Sequence, residues 1–336
     1  MKIIVDCLGG DNTPLAAVEG AVRVLNEYKD AEIIFVGPEE EIKKILGSLN
    51  YNMERVSIVN STEEIKNDEH PVEAIRAKKN SSMVMALDLL KAQGDIVGLV
   101  SAGSTGALLA GGMLKIGRIK GVTRPCISPA FITSNGGWVT VADGGANMDA
   151  TVANILHFAL MGNEYAKCAF KTESPRCALL NVGTEDGKGN ELCKAAFKEL
   201  KKLPINFEGN MEARDFLSGK YDVVISDGFW GNVLIKSTEG ALKAGLKIIK
   251  GEIMSTGLGK MGGLLLKPTF KKIMHKLDYT NYSGSPILGI NKLVIKTHGS
   301  SVASTFYASL VHIIDMHKGD LVGHIKKAIE GADIKE

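Results

Sequence analysis

Four short segments set an acidic or hydroxyl side chain beside glycines: Asp6-Cys7-Leu8-Gly9-Gly10-Asp11, Ser101-Ala102-Gly103-Ser104-Thr105-Gly106, Asp143-Gly144-Gly145-Ala146-Asn147 and Ser226-Asp227-Gly228-Phe229-Trp230-Gly231-Asn232. Glycine lets a chain turn tightly and lets its N–H groups approach an anion, and a helix that follows adds a favourable dipole. Together the segments describe a cradle for phosphate or for a developing oxyanion. Any α/β protein needs glycine in such turns, and one loop alone favours that plain reading. Four loops with polar groups at matching positions favour the cradle. One or two of Asp6, Asp143 and Asp227 also suit the ordinary task of capping the next helix.

A basic segment, Arg76-Ala77-Lys78-Lys79-Asn80-Ser81-Ser82-Met83, joins them. Arg76 or Lys79 suits phosphate, with Ser81 or Ser82 as a helix cap, and a solvated basic turn explains the residues equally well. The common signatures are absent: no G-x-x-x-x-G-K-S/T, no H-E-x-x-H and no G-x-S-x-G. Gly257-Leu258-Gly259-Lys260-Met261-Gly262 has dinucleotide spacing but follows a helical pattern where that fingerprint needs a strand. His298, at a strand end, is a better candidate than His157, which sits in an apolar helix. Cys7 has no evident base beside it and reads as a small buried residue.

The elements that must carry these turns alternate. Strands are read at Ile3–Val5, Ile33–Val36, Val97–Val100, Trp138–Val141, Ala178–Asn181, Val223–Ile225 and Leu293–Lys296. Helices are read at Pro14–Glu27, Glu39–Leu46, Ser81–Gln93, Asp149–Gly162, Glu191–Lys202 and Glu239–Met254, the first opened by Pro14 with Asn12 or Thr13 as its cap. Such repetition predicts an α/β fold, a mostly parallel sheet with helices on both faces and ligands at the strands' carboxyl ends. We expect one domain over residues 1–330, or two interleaved lobes. Residues 239–284 form a helical excursion.

Composition narrows the function further. The 336 residues are 45% hydrophobic and 23% charged, an ordinary globular balance. Lys plus Arg number 40 against 38 for Asp plus Glu, so the net +2 gives no broad field for nucleic acid. The N-terminus enters a strand-like segment at once, which predicts a cytoplasmic location. Five scattered cysteines suggest neither a disulfide framework nor a zinc site, and the aspartates have no recognisable metal spacing. Ile96–Leu114 carries no charge, but its glycines break it into strand, turn and helix. The segment Leu264–Leu277 mixes apolar residues with Lys267, Lys271, Lys272 and Lys276, which suits an anionic membrane surface or a dimer arm alike.

The chain resembles the bacterial phosphate acyltransferases, the PlsX family. The resemblance runs in order through the 6–11 turn, Lys78–Met83, Ser101–Leu108, Asp143–Asn147, Leu179–Gly183 with Lys188-Gly189, Asp222–Asn232, Ser285–Gly289 and His298–Ser301. The family has Ala-Met where Cys7-Leu8 stand, Asn at 104 and Gly-Ala at 284–285. The resemblance implies a three-layer αβα fold similar to phosphotransacetylases and isocitrate dehydrogenase-like enzymes, in a homodimer. It implies reversible acyl transfer from acyl-carrier protein to inorganic phosphate with no organic cofactor. We name no metal ligand, leave open whether a divalent ion assists, and expect peripheral membrane association through the basic segment and a membrane glycerol-3-phosphate acyltransferase downstream.

On this reading Asp6, Gly9, Gly10, Lys79, Ser81, Ser82, Gly103, Ser104, Thr105, Gly106, Asp143 and Asn147 bind substrate. Lys188, Asn232 and His298 act on the carbonyl or the leaving group, and Asp227 orients one of them. A short-chain phosphotransacetylase using coenzyme A and a non-catalytic phospho-metabolite sensor are the rival readings.

Overall fold

The computed structural model describes residues 1–277, 284–332 and 334; the side chains of 272 and 274–277 are not described. Lys272, Met274, His275, Lys276 and Leu277 of the basic segment therefore lie outside the described side chains, as do residues 278–283 of the excursion.

Among the described residues, twelve strands divide between two sheets. The first contains β1 (Lys2–Asp6), β2 (Glu32–Gly37), β3 (Val56–Asn60), β4 (Ile96–Ser101) and β5 (Cys126–Ile127). The second takes β6 (Ala130–Ile132), β7 (Trp138–Ala142), β8 (Arg176–Asn181), β9 (Asn206–Glu212) and β10 (Val223–Ile225), after which β11 (Ser285–Leu288) and β12 (Leu293–Lys296) return to the first. Their orders are β3-β2-β1-β4-β12-β11-β5 and β6-β7-β10-β8-β9. The pairs β1–β2, β1–β4, β4–β12, β7–β10 and β8–β10 are parallel, so each sheet gathers its carboxyl ends on one rim. The family of parallel strands expected from the sequence is present, but in two sheets.

Eleven helices complete the described residues: α1 (Leu15–Glu27), α2 (Glu39–Leu46), α3 (Pro71–Ala77), α4 (Ser82–Ala92), α5 (Thr105–Gly111), α6 (Val152–Phe170), α7 (Glu191–Leu200), α8 (Gly228–Ser255), α9 (Gly257–Leu277), α10 (Ala303–Lys318) and α11 (Leu321–Gly331). Strand side chains alternate between cores, as a two-residue period requires. Ile3, Val5, Phe35, Val100 and Ile295 face α1 and α10, whereas Ile4, Ile34, Val36, Leu99 and Val294 face the side of α3, α4 and α5. The first core continues through α6 and α11 to Ala142, Cys177, Leu179, Val223 and Ile225 of the second sheet. One helical layer thus serves both sheets. Cys7, Cys126, Cys168 and Cys177 are buried and all five cysteines are unbridged.

Two local readings change. Neither Asn12 nor Thr13 caps α1: Pro14 holds that position without a side-chain bond. Thr13 Oγ1 instead donates to Gly10 O at 2.8 Å, and the Asn12 amide reaches the carbonyls of Ser300 and Ser301. The helix read at Glu239–Met254 is the second half of α8, which starts at Gly228 because the Asp227 carboxylate accepts from Trp230 N–H at 2.7 Å.

The start of α8 is packed to its limit. A Cβ on Gly231 would lie 1.9 Å from the carbonyl oxygen of Asp143, whereas one on Gly240 meets nothing within 4 Å. Gly231→Ala should lower the unfolding free energy by about 1–3 kcal/mol, and Gly240→Ala should raise it by roughly 0.5–1 kcal/mol. Urea titration of the pair checks this, and shifts of the same sign would contradict the close approach.

A candidate active site between two sheet rims

The rim of the first sheet is drawn together by backbone contacts. A Cβ on Gly9, at φ +80°, would fall 2.6 Å from Gly103 Cα, so only glycine lets the turns after β1 and β4 meet this closely. Asp11 N–H donates to Gly299 O at 2.8 Å, and Thr297 N–H to Ser101 O at 2.9 Å, which adds the turn after β12. Residues from both ends of the chain therefore share one corner.

Asp6 lies beneath that corner, 1% exposed. Its carboxylate accepts from Ser101 Oγ at 2.6 Å and Leu8 N–H at 3.2 Å, with Ser82 a further hydrogen-bond partner. Burial raises its pKa to about 6 against the pull of those bonds. Ser101 Oγ also accepts from Gly103 N–H at 3.1 Å. Ser104 caps α5 through Ala107 N–H, and Ser81 caps α4 through Val84 N–H. Gly10 packs on Ala102, and Gly106 on Pro71. Lys79 is exposed to solvent and does not line the cleft between the rims.

The rim of the second sheet is organised by Asp143. The peptide bond entering it, Ala142–Asp143, is cis. Its buried carboxylate accepts from the N–H groups of Gly145, Ala146 and Asn147, from the Asn147 amide at 2.9 Å, and from Ile127 N–H of β5 at 3.0 Å. The Asn147 amide donates in addition to Pro125 O at 2.8 Å. Burial pushes the Asp143 carboxyl up and these donors hold it down. Asp143 and Asn147 thus engage their own loop. Gly228 N–H bonds Asn147 O at 2.7 Å, seating α8 on that loop.

Between the rims lies a cleft of about 300 Å³, lined by Thr105, the Gly144–Gly145 backbone, Asn232, Lys236, Lys296, Thr297 and His298. Asn232 and His298, predicted from sequence, meet here, as does Thr105. His298 Nδ1 accepts from Ser300 N–H at 3.2 Å and lies 2.7 Å from Ser300 Oγ, which leaves the neutral ring's proton on Nε2. Asp227 stands at the helix start, not on the cleft wall; burial raises its pKa against the N–H groups of Trp230 and Phe229. Lys188 is absent from the wall as well, its Nζ 3.8 Å from Glu185 in the loop after β8.

The sequence reading named the turn that begins at Ser101 without giving Ser101 its role as the partner of Asp6, and two residues escaped it: Lys236, one turn beyond Asn232, and Lys296. A signal existed for the last, a single cation closing the apolar run Leu293-Val294-Ile295 just before Thr297-His298. Among the described residues no group of His, Cys, Asp and Glu is arranged to hold a metal ion, and no helix is long and apolar enough to cross a membrane.

The fold is similar to that of solved phosphotransacetylases. The EutD phosphotransacetylase from Staphylococcus aureus superposes with a TM-score of 0.58 at 16% identity over 94% of each chain. A phosphotransacetylase from Streptococcus pyogenes gives 0.57 at 18% identity over 98% of this chain and 94% of that one. The family described as "Fatty acid synthesis protein" matches residues 1–322. Proteins named phosphate acyltransferase are 43% identical in Clostridioides difficile (strain 630), over 98% of this chain and 96% of that one, and 44% identical in Caldanaerobacter subterraneus subsp. tengcongensis, over 98% of each. The chain belongs to the phosphate acyltransferase family.

The state of Asp6 is testable. Its folded pKa near 6 exceeds that of an unfolded aspartate, so its contribution to stability is present below about pH 4 and is lost as pH rises through 6. Asp6→Asn should therefore gain on the wild type by up to about 3 kcal/mol between pH 4 and 7.5, in unfolding titrations at both pH values. A pH-independent difference would place the carboxyl at an ordinary pKa.

Proposed function

We propose that the protein transfers an acyl group from an acyl-carrier-protein thioester to inorganic phosphate, releasing the carrier thiol and forming an acyl phosphate for lipid synthesis. The observation that carries this reading is the cleft between the rims, where neutral donors, cations and a glycine backbone face one another in a member of the phosphate acyltransferase family. Phosphate is already a nucleophile and a thiolate leaves readily, so positioning and oxyanion stabilisation suffice. No covalent enzyme intermediate, metal or organic cofactor is required.

To Asn232 we assign donation to the carbonyl oxygen as it becomes an oxyanion, and to His298 service of the leaving sulfur; both line the cleft. Thr105 and the turn from Gly103 to Gly106 border the phosphate, with Gly9, Gly10, Ser81, Ser82 and Ser104 shaping that corner through the contacts given above. Asp6 and Asp143 hold the two rims, Asn147 braces the second, and Asp227 orients Asn232 by capping α8. Lys188 follows β8 at the rim that also carries Asp227, on the side we assign to the incoming donor; Lys79 we assign to an outer approach of phosphate.

The arm formed by α8 and α9 leaves Leu258 and Leu265 each 82% exposed, beside Lys260, Lys267 and Lys271. Its apolar surface fits an anionic bilayer, a second copy of the chain, or both, and membrane contact suits a lipid-like product handed to a membrane glycerol-3-phosphate acyltransferase.

Mixing the protein with acyl-carrier-protein thioester should release free sulfhydryl only when phosphate is present, and short-chain acyl coenzyme A should substitute poorly. Asn232→Ala and Lys188→Ala should each lower the rate about 100-fold with unchanged circular dichroism; rates within twofold of wild type would remove both assignments. For the arm, Leu264→Glu with Leu265→Glu should abolish flotation with anionic vesicles. Equal flotation of variant and wild type removes the membrane contact.

A further inference from the structure

The cleft holds two lysines in unlike settings. Lys236, on α8, is exposed and pairs with Glu239 at 3.1 Å. Lys296, the last residue of β12, is largely buried, and its ammonium has no ion-pair partner among the described residues. It donates to Ala102 O at 3.2 Å and to Thr297 O, two neutral carbonyls. The negative group that bears on it is Asp6, whose oxygens already serve Ser101, Ser82 and Leu8 N–H. An ammonium has three donors, so two carbonyls leave one over. A charge withdrawn from water without a counter-charge is costly unless a ligand supplies one. A purely structural role, tying β12 to the turn after β4, accounts for the bond to Ala102 but not for the place of Lys296 on the cleft wall beside Thr105, Asn232 and His298.

We propose that Lys296 is the residue that holds the attacking phosphate, its third N–H donating to a phosphate oxygen while the carbonyls of Ala102 and Thr297 fix the ammonium. This rests on the acyl-transfer reading above. A second phosphate oxygen attacks the thioester carbon, forming the C–O bond as the carbonyl pair moves onto oxygen. The oxyanion returns that pair, the C–S bond breaks, and the proton carried by hydrogen phosphate ends on sulfur. Lys296 keeps its proton throughout, serving as a fixed donor and a counter-charge.

Burial lowers the Lys296 pKa to about 8, an effect that Asp6 partly offsets. The ammonium is therefore present below about pH 8 and is lost above it, and phosphate binding should weaken with it. Among the described residues, the titratable or charged groups around Lys296 are Asp6 from β1, which lies off the cleft wall, and Lys236 from α8 and His298 from the turn after β12, which line it. A guanidinium in place of Lys296 stays charged across that range.

The test compares wild type, Lys296→Met and Lys296→Arg in two assays: phosphate-dependent thiol release from acyl-carrier-protein thioester, and calorimetric titration of inorganic phosphate. Lys296→Met should raise both the KM and the Kd for phosphate at least ~10-fold at pH 7, with a melting temperature equal to or above that of wild type. Lys296→Arg should bind phosphate and lack the weakening that wild type shows between pH 7 and 9. The assignment is overturned if Lys296→Met keeps both constants within twofold, or if Lys296→Arg and wild type weaken identically above pH 8. Should Lys296→Met fail to fold, the comparison with Lys296→Arg decides alone. Lys296-dependent phosphate binding without thiol release from wild type would uphold this site and sink the acyl-transfer reading, so the two fail separately.

Discussion

One buried carboxylate joins the two halves of the molecule. Asp143 follows a strand of the second sheet, yet it accepts from Ile127 N–H in the first, while Gly145, Ala146 and Asn147 point their N–H groups at the same two oxygens. Losing such an acceptor would leave several buried donors unmatched, each at a cost of about 1–3 kcal/mol. The turn it shapes supplies one wall of the cleft and the seat for α8. The positions of Asn232 and Lys236 follow from that seat.

The opposite wall depends on a different economy of space. Gly9, Gly103 and Gly299 bring three turns together, and beneath them Asp6 is held by the hydroxyls of Ser101 and Ser82 and by the Leu8 N–H. Lys296 stands beside it without an ion-pair partner among the described residues, in a chain whose net charge is only +2.

The long arm belongs to another balance. After Ile235, α8 buries no further side chain, and the described part of α9 presents Leu258, Met261, Leu264 and Leu265 to solvent. Helices of that length draw most of their stability from packing an apolar face. The described part of the arm leaves that apolar face uncovered, and it grows from the same helix that carries Asn232.

Much of this architecture can be read without coordinates. Alternating apolar runs such as Ile3–Val5 and Leu293–Ile295 declare buried strands because a two-residue period is local, and Gly-rich turns with Asp6, Ser101, Asp143 or Asp227 announce where chemistry gathers. Pattern could not say that Asn12 would serve Ser300 and Ser301 instead of capping α1, or that Lys188 would stand off the cleft wall. Nor could it single out Lys296, an ordinary strand-end lysine until β12 is inserted beside β4, 195 positions earlier in register with Ser101. Propensity and periodicity are properties of neighbours along the chain, so the sequence determined the elements and the types of residue at their ends. Charge, desolvation and reach depend on neighbours across space, and those were decided only when two sheets closed around one helical layer.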